Sequence, residues 1–437
     1  MNRQVDLQPD VQTKRGNAIP GVSESALRPR LNILFVCMGI PSPPDTGKRL
    51  SNWAFLRCLI LGGHLVTLVT FSEHADLGST AEALADVCNQ WECVPLSPSH
   101  QLGSMRNLFA RLITLASEMP FSANRFRSDS MRSCLKRHMT ESQFDLAVFD
   151  EIFTLQNIPS GFAVPVLLKK DHIAALILQR YLDHEPGTLK RAYARFEHWR
   201  TSRWEKEMIR KATGVMACSQ LEAHLIEKMC PGIPMTVVPN VIDVSNYTIE
   251  QDLSKPSILY TGTMDWHPNQ DAVDYFVRHI LPVVARAVPN VEFVIAGRAT
   301  SDKLRQKYEA IPGVRFLGTV PDMRPVIAKS AVCVVPLRIA SGTRLKILEA
   351  GAMGKPVVST TIGAEGLEFV DGKEIFIADD AVTFAEAVIR LLRSAELRHD
   401  TGLAARRKVE SFYSLEALQS AVQVSVSPFE NARRQNG

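Results

Sequence analysis

Two periodicities alternate along the chain. Short apolar runs bounded by turn residues are separated by longer stretches in which apolar side chains recur at roughly every third or fourth position. Leu31–Met38 (LNILFVCM) is almost continuously apolar, the pattern of a parallel strand buried on both faces. The same pattern predicts strands at 64–71, 93–96, 145–150, 164–168, 214–217 and 235–238, with helices over 48–61, 101–117 and 189–212. A second series follows. It has strands at 257–261, 291–296, 314–316, 331–335, 357–359 and 375–377, and helices over 271–287, 301–310, 323–329, 343–353 and 382–394. Strand–helix alternation predicts an α/β fold with parallel sheets covered by helices on both faces. Two such series predict two Rossmann-like, doubly wound domains facing a central cleft.

Residues 1–30 are polar and are expected to form a flexible tail. The first domain is expected over 31–245, a polar linker over 246–256, the second domain over 257–412 and a last helix over 413–437. With 46% hydrophobic and 22% charged residues among 437, the chain has an ordinary globular composition, enough for two cores. No apolar stretch has the length of a membrane helix, and the N-terminus lacks a signal-peptide core. The eight cysteines form no CxxC pair. They read as reduced core thiols of a cytoplasmic protein rather than disulfides or a zinc site. A net charge of +4 argues against a nucleic-acid coat. That charge is uneven, however: residues 100–211 hold 18 Lys and Arg against 12 Asp and Glu. Solvated helix faces account for such a bias, and so does an anionic acceptor or peripheral contact with an anionic membrane.

Several chemistries lack their motif. HExxH, GxSxG, Asp-x-Asp and GxGxxG after the first strand are all missing, so no metal is expected. Gly39–Lys48 (GIPSPPDTGK) imitates a phosphate loop, but its glycines are too far apart and Arg49 follows Lys48 where a Ser or Thr is needed. The strongest segment is Val334–Val358, VVPLRIASGTRLKILEAGAMGKPVV. A strand ends at Pro336, a loop carries Arg338, Ser341 and Gly342, and a helix is predicted from Thr343. Free amides at a helix start bind phosphate, and Arg344 and Lys346 add cations. Glu349 lies seven residues after Gly342, about 10 Å further along the same face, the reach of a ribose from a diphosphate. An ordinary Lys346–Glu349 surface pair is the simpler alternative.

This segment, GTRLKILEAGAMGKPVVSTTIGAEGL, resembles the donor-site signature of GT-B glycosyltransferases of the family 4 type, the glycosyl transferases group 1. PSPPDTGKR, ACSQLEA, TVVPNVID, YTGTMDWHPNQDAVDYF, FVIAGR and VRFLGTVPD extend the likeness over nearly all of residues 31–420, and the subgroup it looks nearest to assembles polysaccharides. The resemblance implies a retaining, metal-independent transferase. Its donor would be a nucleotide-diphosphate sugar of UDP or GDP type, needing no further cofactor. Its acceptor would be a glycan or a lipid-linked sugar. The last helix would cross back to the first domain.

By that resemblance Glu349 is the second Glu of the family's E-x7-E pattern and holds the donor ribose, while Ser341 stands where the family has the first Glu. The loop after the first strand of the second domain has no basic residue, so Arg298 or Lys346 would supply the charge. Thr263, Val320, Thr343, Leu345 and Gly47 complete the donor contacts. Asp171 and His172 fall where relatives carry residues beside the reacting sugar, which makes them and Lys346 the catalytic candidates. A nucleotide-sugar 2-epimerase and a non-catalytic donor-binding subunit share this architecture and stay open as alternatives.

Overall fold

The computed structural model describes residues 29–44, 46–72, 78–96, 119–185, 187–249, 256–298 and 302–436. The helix predicted over 101–117 lies outside them. Seven strands form the first sheet: β1 (Asn32–Cys37), β2 (Leu65–Ser72), β3 (Gln90–Pro95), β4 (Leu146–Asp150), β5 (Val166–Lys170), β6 (Gly214–Ala217) and β7 (Met235–Val237). Their spatial order is β3-β2-β1-β4-β5-β6-β7. The second sheet contains β8 (Ser257–Thr261), β9 (Glu292–Ala296), β10 (Val314–Gly318), β11 (Val332–Val335), β12 (Val357–Ser359) and β13 (Phe376–Ile377), in the order β10-β9-β8-β11-β12-β13. Every pairing is parallel. In both sheets the chain starts in the middle, winds outward, then returns to build the other side. That reversal opens a crevice at the carboxyl ends of the strands.

The helices used below are α1 (Gly47–Leu61), α2 (Asp129–Glu141), α3 (Glu151–Leu155), α4 (Ala174–His184), α5 (Thr188–Ile209), α6 (Gln220–Met229), α7 (His267–Tyr275), α8 (Leu345–Ala352) and α9 (Leu415–Asn436). Two sequence expectations shift here. The helix predicted over 271–287 starts earlier, at His267, because Pro268 fits a first helical turn, and it passes through a π-helical turn at Phe276–Ile280. The donor-loop helix starts at Leu345 rather than Thr343, because Arg344 is still extended at φ −103°.

One core fills the second domain around Tyr260, Phe276, Phe293 and Phe384. The first sheet is sandwiched between two cores, one around Phe149, Phe153 and Trp204 and one around Phe35 and Phe55. The last of these is completed by Leu418, Val422 and Val426 of α9, which thus leaves the second domain and packs on the first. Each such buried aliphatic side chain contributes about 1.5–3 kcal/mol.

Candidate functional site

The strand ends of both sheets face a cleft of about 1230 Å³. Its first-domain wall is built on two apolar strands that end abruptly in charge: Phe149 runs into Asp150 and Glu151, and Leu168 into Lys169, Lys170 and Asp171. Lys48, at the start of α1, reaches Asp150 Oδ1 at 2.6 Å and Asp171 Oδ2 at 2.7 Å. Lys169 holds both Asp171 oxygens at 2.9 Å. Lys170 lies 2.8 Å from Glu205 and 3.5 Å from Glu151, and donates to the His172 carbonyl at 2.6 Å. Glu205, on α5, accepts the opening amides of α4 from Ala174 and Ala175. Glu151 accepts the Asp171 amide at 2.8 Å and stands 3.0 Å from His172 Nδ1.

The backbone of Glu151 is left-handed, at φ 68°. That conformation costs on the order of 1 kcal/mol or more, and the surrounding bonds offset it. Burial opposes ionisation of these groups, yet the facing carboxylates hold Lys48 and Lys170 above their ordinary range. Against the same burial, His172, Lys170 and Lys48 hold Glu151 well below the carboxylate range, and Lys169 and Lys48 do so for Asp171. Both oxygens of Asp171 are thus engaged by lysines. His172 is the member whose ring, 28% exposed, looks into the cleft.

On the second-domain wall the charges are arranged differently, with Arg324 paired to Asp322 and two charged groups on α8. Lys346 sits over the Tyr260 ring, 4.2 Å from its centroid, and 3.5 Å from Asn269 Oδ1. Burial first, and then Arg344, lowers its ammonium to about 7. Glu349, nearly one turn further along α8, accepts from the Tyr247 hydroxyl at 3.3 Å. Burial raises its carboxyl to about 7. Each has a neutral hydrogen-bond partner, in place of the simple surface pair. Thr263, Val320 and the largely exposed Arg298 also line the cleft, with Arg298 3.7 Å from Asp265.

Two donor-loop expectations need correction. The Gly342 amide, expected to be free for phosphate, donates to Glu222 of α6 at 2.7 Å. Its φ of 80° excludes a side chain, and a Cβ there would overlap the Asp171 carbonyl oxygen, so this glycine admits the first domain rather than a ligand. Arg344, expected as a diphosphate cation, is 8% exposed and spends its guanidinium on the carbonyls of Ser341, Gly342 and Ile362. Burial lowers its pKa to about 10. Ser341 and Thr343 line the cleft and also hold the two domains together: Ile173 donates its amide to Ser341 Oγ at 2.9 Å, and Asn240 donates to Thr343 Oγ1 at 2.9 Å.

Two more contacts join the walls. Leu345 lies against Gly47, where a Cβ would come within 3.2 Å of it. Arg180 of α4 clamps Glu365 through two bonds of 2.6 and 2.7 Å. Of the expected residues, the fold therefore brings Gly47, Asp171, His172, Ser341, Gly342, Thr343 and Leu345 into one contact zone, with Lys346 and Glu349 beside it. The sequence reading passed over Asp150, Glu151, Lys169, Lys170, Glu205 and Tyr247. Charges at the ends of apolar strands were the available signal for four of them, since strand ends face the crevice in such sheets.

Comparison with known proteins agrees with this architecture. Residues 255–394 match the family model of glycosyl transferases group 1. A 44.6 kDa protein from the cps region of Klebsiella pneumoniae is 23% identical over 365 residues, 82% of this chain and 90% of that one. Sucrose-phosphate synthase of Thermosynechococcus elongatus superposes with a TM-score of 0.67 at 17% identity, over 92% of this chain and all of that one. HepE of Anabaena, solved with UDP-glucose, superposes with a TM-score of 0.63 at 14% identity, over 91% of this chain and all of its own. With residues 255–394 matching glycosyl transferases group 1 and two facing parallel-sheet domains superposing on these structures, the chain has the GT-B fold and a second domain similar to group 1 glycosyltransferases.

Proposed function

We propose that the enzyme moves a sugar from a nucleotide-diphosphate sugar to a glycan or lipid-linked acceptor, retaining the anomeric configuration and without a metal ion at the diphosphate. The observation that carries this is the Lys346–Glu349 pair, facing the cleft nearly one turn apart on α8 with neutral hydrogen-bond partners. A ribose at Glu349 donates its hydroxyls to the carboxylate. The diphosphate then meets Lys346, whose charge it stabilises. HepE, solved with UDP-glucose, supports a uridine donor. The absence of an Asp-x-Asp pair leaves charge neutralisation to Lys346 and Arg298.

In this mechanism the acceptor lies along the first-domain wall, and its hydroxyl attacks the donor from the side the diphosphate leaves. The leaving phosphate takes the hydroxyl proton. Lys346 and nearby dipoles stabilise the charge that grows there. His172, fixed through Nδ1 by Glu151, lines the reacting space. Contacts between the domains limit water access and so donor hydrolysis. The relative from a cps region supports a place in polysaccharide assembly.

The exposed face of α5 supports peripheral membrane contact. Leu189 is 86% and Trp199 57% exposed, among Lys190, Arg191, Arg195 and Arg203. No helix among the described residues is long and apolar enough to cross a membrane. A calorimetric panel of nucleotide sugars, followed by transfer assays on lipid-linked acceptors, tests the reading. Failure of every nucleotide to bind overturns it. Absence of low-salt binding to anionic vesicles removes the membrane contact alone.

A further inference from the structure

Outside the cleft, three ligand-type side chains converge between β3 and α2. Cys134 and His138 are four residues apart on α2, so they share one face. Glu92 meets them from β3, on the same side of that strand as Val94, which joins Cys134 in the core. His138 Nε2 lies 2.9 Å from Glu92 Oε2, and the Cys134 thiol stands beside them. The three donor atoms all fall within 4.8 Å of one another. Among the described residues, no other group of His, Cys, Asp or Glu side chains gathers three ligand atoms this closely. None of the three lines the cleft.

We infer that Glu92, Cys134 and His138 form a binding site for a divalent transition-metal ion of the zinc type. Thiolate, imidazole and carboxylate are the donor set that such an ion takes, with water in the fourth tetrahedral position. Metal–ligand bonds of about 2.0–2.3 Å separate tetrahedral ligand atoms by roughly 3.5 Å, within reach of the observed cluster after a small opening of the His138–Glu92 contact. One thiolate, one carboxylate and a neutral imidazole cancel the two charges of the ion. The ion and its ligands are then neutral together, and the added charge of Arg137 beside them stays partly in solvent. Arg137 bonds Glu92 through Oε2, the oxygen that also faces His138, and leaves Oε1 for the ion, as outer partners commonly orient a metal carboxylate.

The competing account is an ionic latch in which Arg137 and His138 pin Glu92. That latch needs no cysteine, and it leaves the convergence of the thiol unexplained. The ion displaces the thiol proton, so binding tightens as pH rises. By clamping edge strand β3 to α2, the site supports the first domain and takes no part in sugar transfer. The sequence hid it because Cys-x3-His supplies two donors and the third arrives from a separate strand.

The test uses the whole protein, reduced and stripped with chelator. Zinc titrated by calorimetry is expected to bind one ion per chain and to raise the melting temperature. Cobalt is expected to give a thiolate charge-transfer band. Cys134→Ser should abolish the band and weaken zinc binding at least about tenfold. His138→Gln should weaken it comparably, with folding checked by circular dichroism. No stoichiometric binding by the wild-type chain overturns the inference. Zinc binding or a cobalt band unchanged in either variant does the same.

Discussion

The two walls of the cleft treat charge in opposite ways. The first-domain wall gathers Lys48, Lys169 and Lys170 against Asp150, Glu151, Asp171 and Glu205, and nearly every charge is answered by another within the protein. On the second-domain wall, Lys346 and Glu349 have hydrogen-bond partners that are neutral groups. The first arrangement is preorganised. It fixes His172 and the turn that meets the other domain. The second leaves charge unspent, and burial drives both groups to titrate near neutrality. A ligand that brings two phosphates and a ribose supplies the missing partners on that wall. In the proposed function, positioning belongs to one domain and ligand capture to the other.

The most severe way to break this division is to separate the walls. Gly342→Ala places a Cβ on the Asp171 carbonyl in a left-handed backbone, so the domains cannot close as they do here. Loss of nearly all transfer is expected in a stopped assay of product. Near-normal turnover would show that the contact is dispensable. Next, Lys170→Met leaves Glu205 buried without its cation and Glu151 with only Lys48 and His172 beside it. A loss of about 3–5 kcal/mol in denaturant unfolding is expected. An unchanged midpoint would mean the network is not tightly coupled.

Smaller changes separate the walls by function. His172→Ala should lower the transfer rate about a hundredfold while nucleotide affinity stays within twofold. A change in affinity with normal turnover would move His172 to the donor side. Glu349→Ala should cost about 1.5–3 kcal/mol of UDP or GDP binding, roughly tenfold to a hundredfold, by calorimetry. Equal affinity would remove the ribose assignment.

The finest test is pH. Glu349, raised to about 7, favours the free fold below the ordinary carboxylate range and loses that contribution as pH rises through about 7. Lys346, lowered to about 7, favours the fold above the ordinary lysine range and loses that contribution as pH falls through about 7. The pair alone thus gives the free protein least support near neutrality. There it also has the largest fraction with Glu349 ionised and Lys346 charged, so nucleotide affinity is expected to peak near pH 7. Glu349→Gln should remove the acid limb and Lys346→Met the alkaline limb. A profile with both limbs in both variants would assign them to other groups.

Much of this architecture was legible because a strand buried on both faces must be apolar along its length. LNILFVCM and Ser257–Thr261 therefore announce the central strands of each sheet. Glu349 and Lys346 were legible too, since helical spacing ties them to one face. The ionic wall was not. Asp150, Glu151, Lys169 and Lys170 read as two short charge runs, and nothing local says that they meet. The roles of Gly342 and Arg344 were misread for a related reason. The neighbours of Gly342, Glu222 and the Asp171 carbonyl, come from the other domain, and Arg344 reaches the Ile362 carbonyl from a separate loop.

By itself the sequence determined the two parallel-sheet domains and the helix that carries Lys346 and Glu349, because periodicity and helical spacing are local properties. Only the tertiary structure decided which charges cancel, which remain for a ligand, and that Glu92 joins Cys134 and His138. Coulomb interactions and hydrogen bonds depend on distance in space, and parallel sheets bring together residues that lie far apart along the chain.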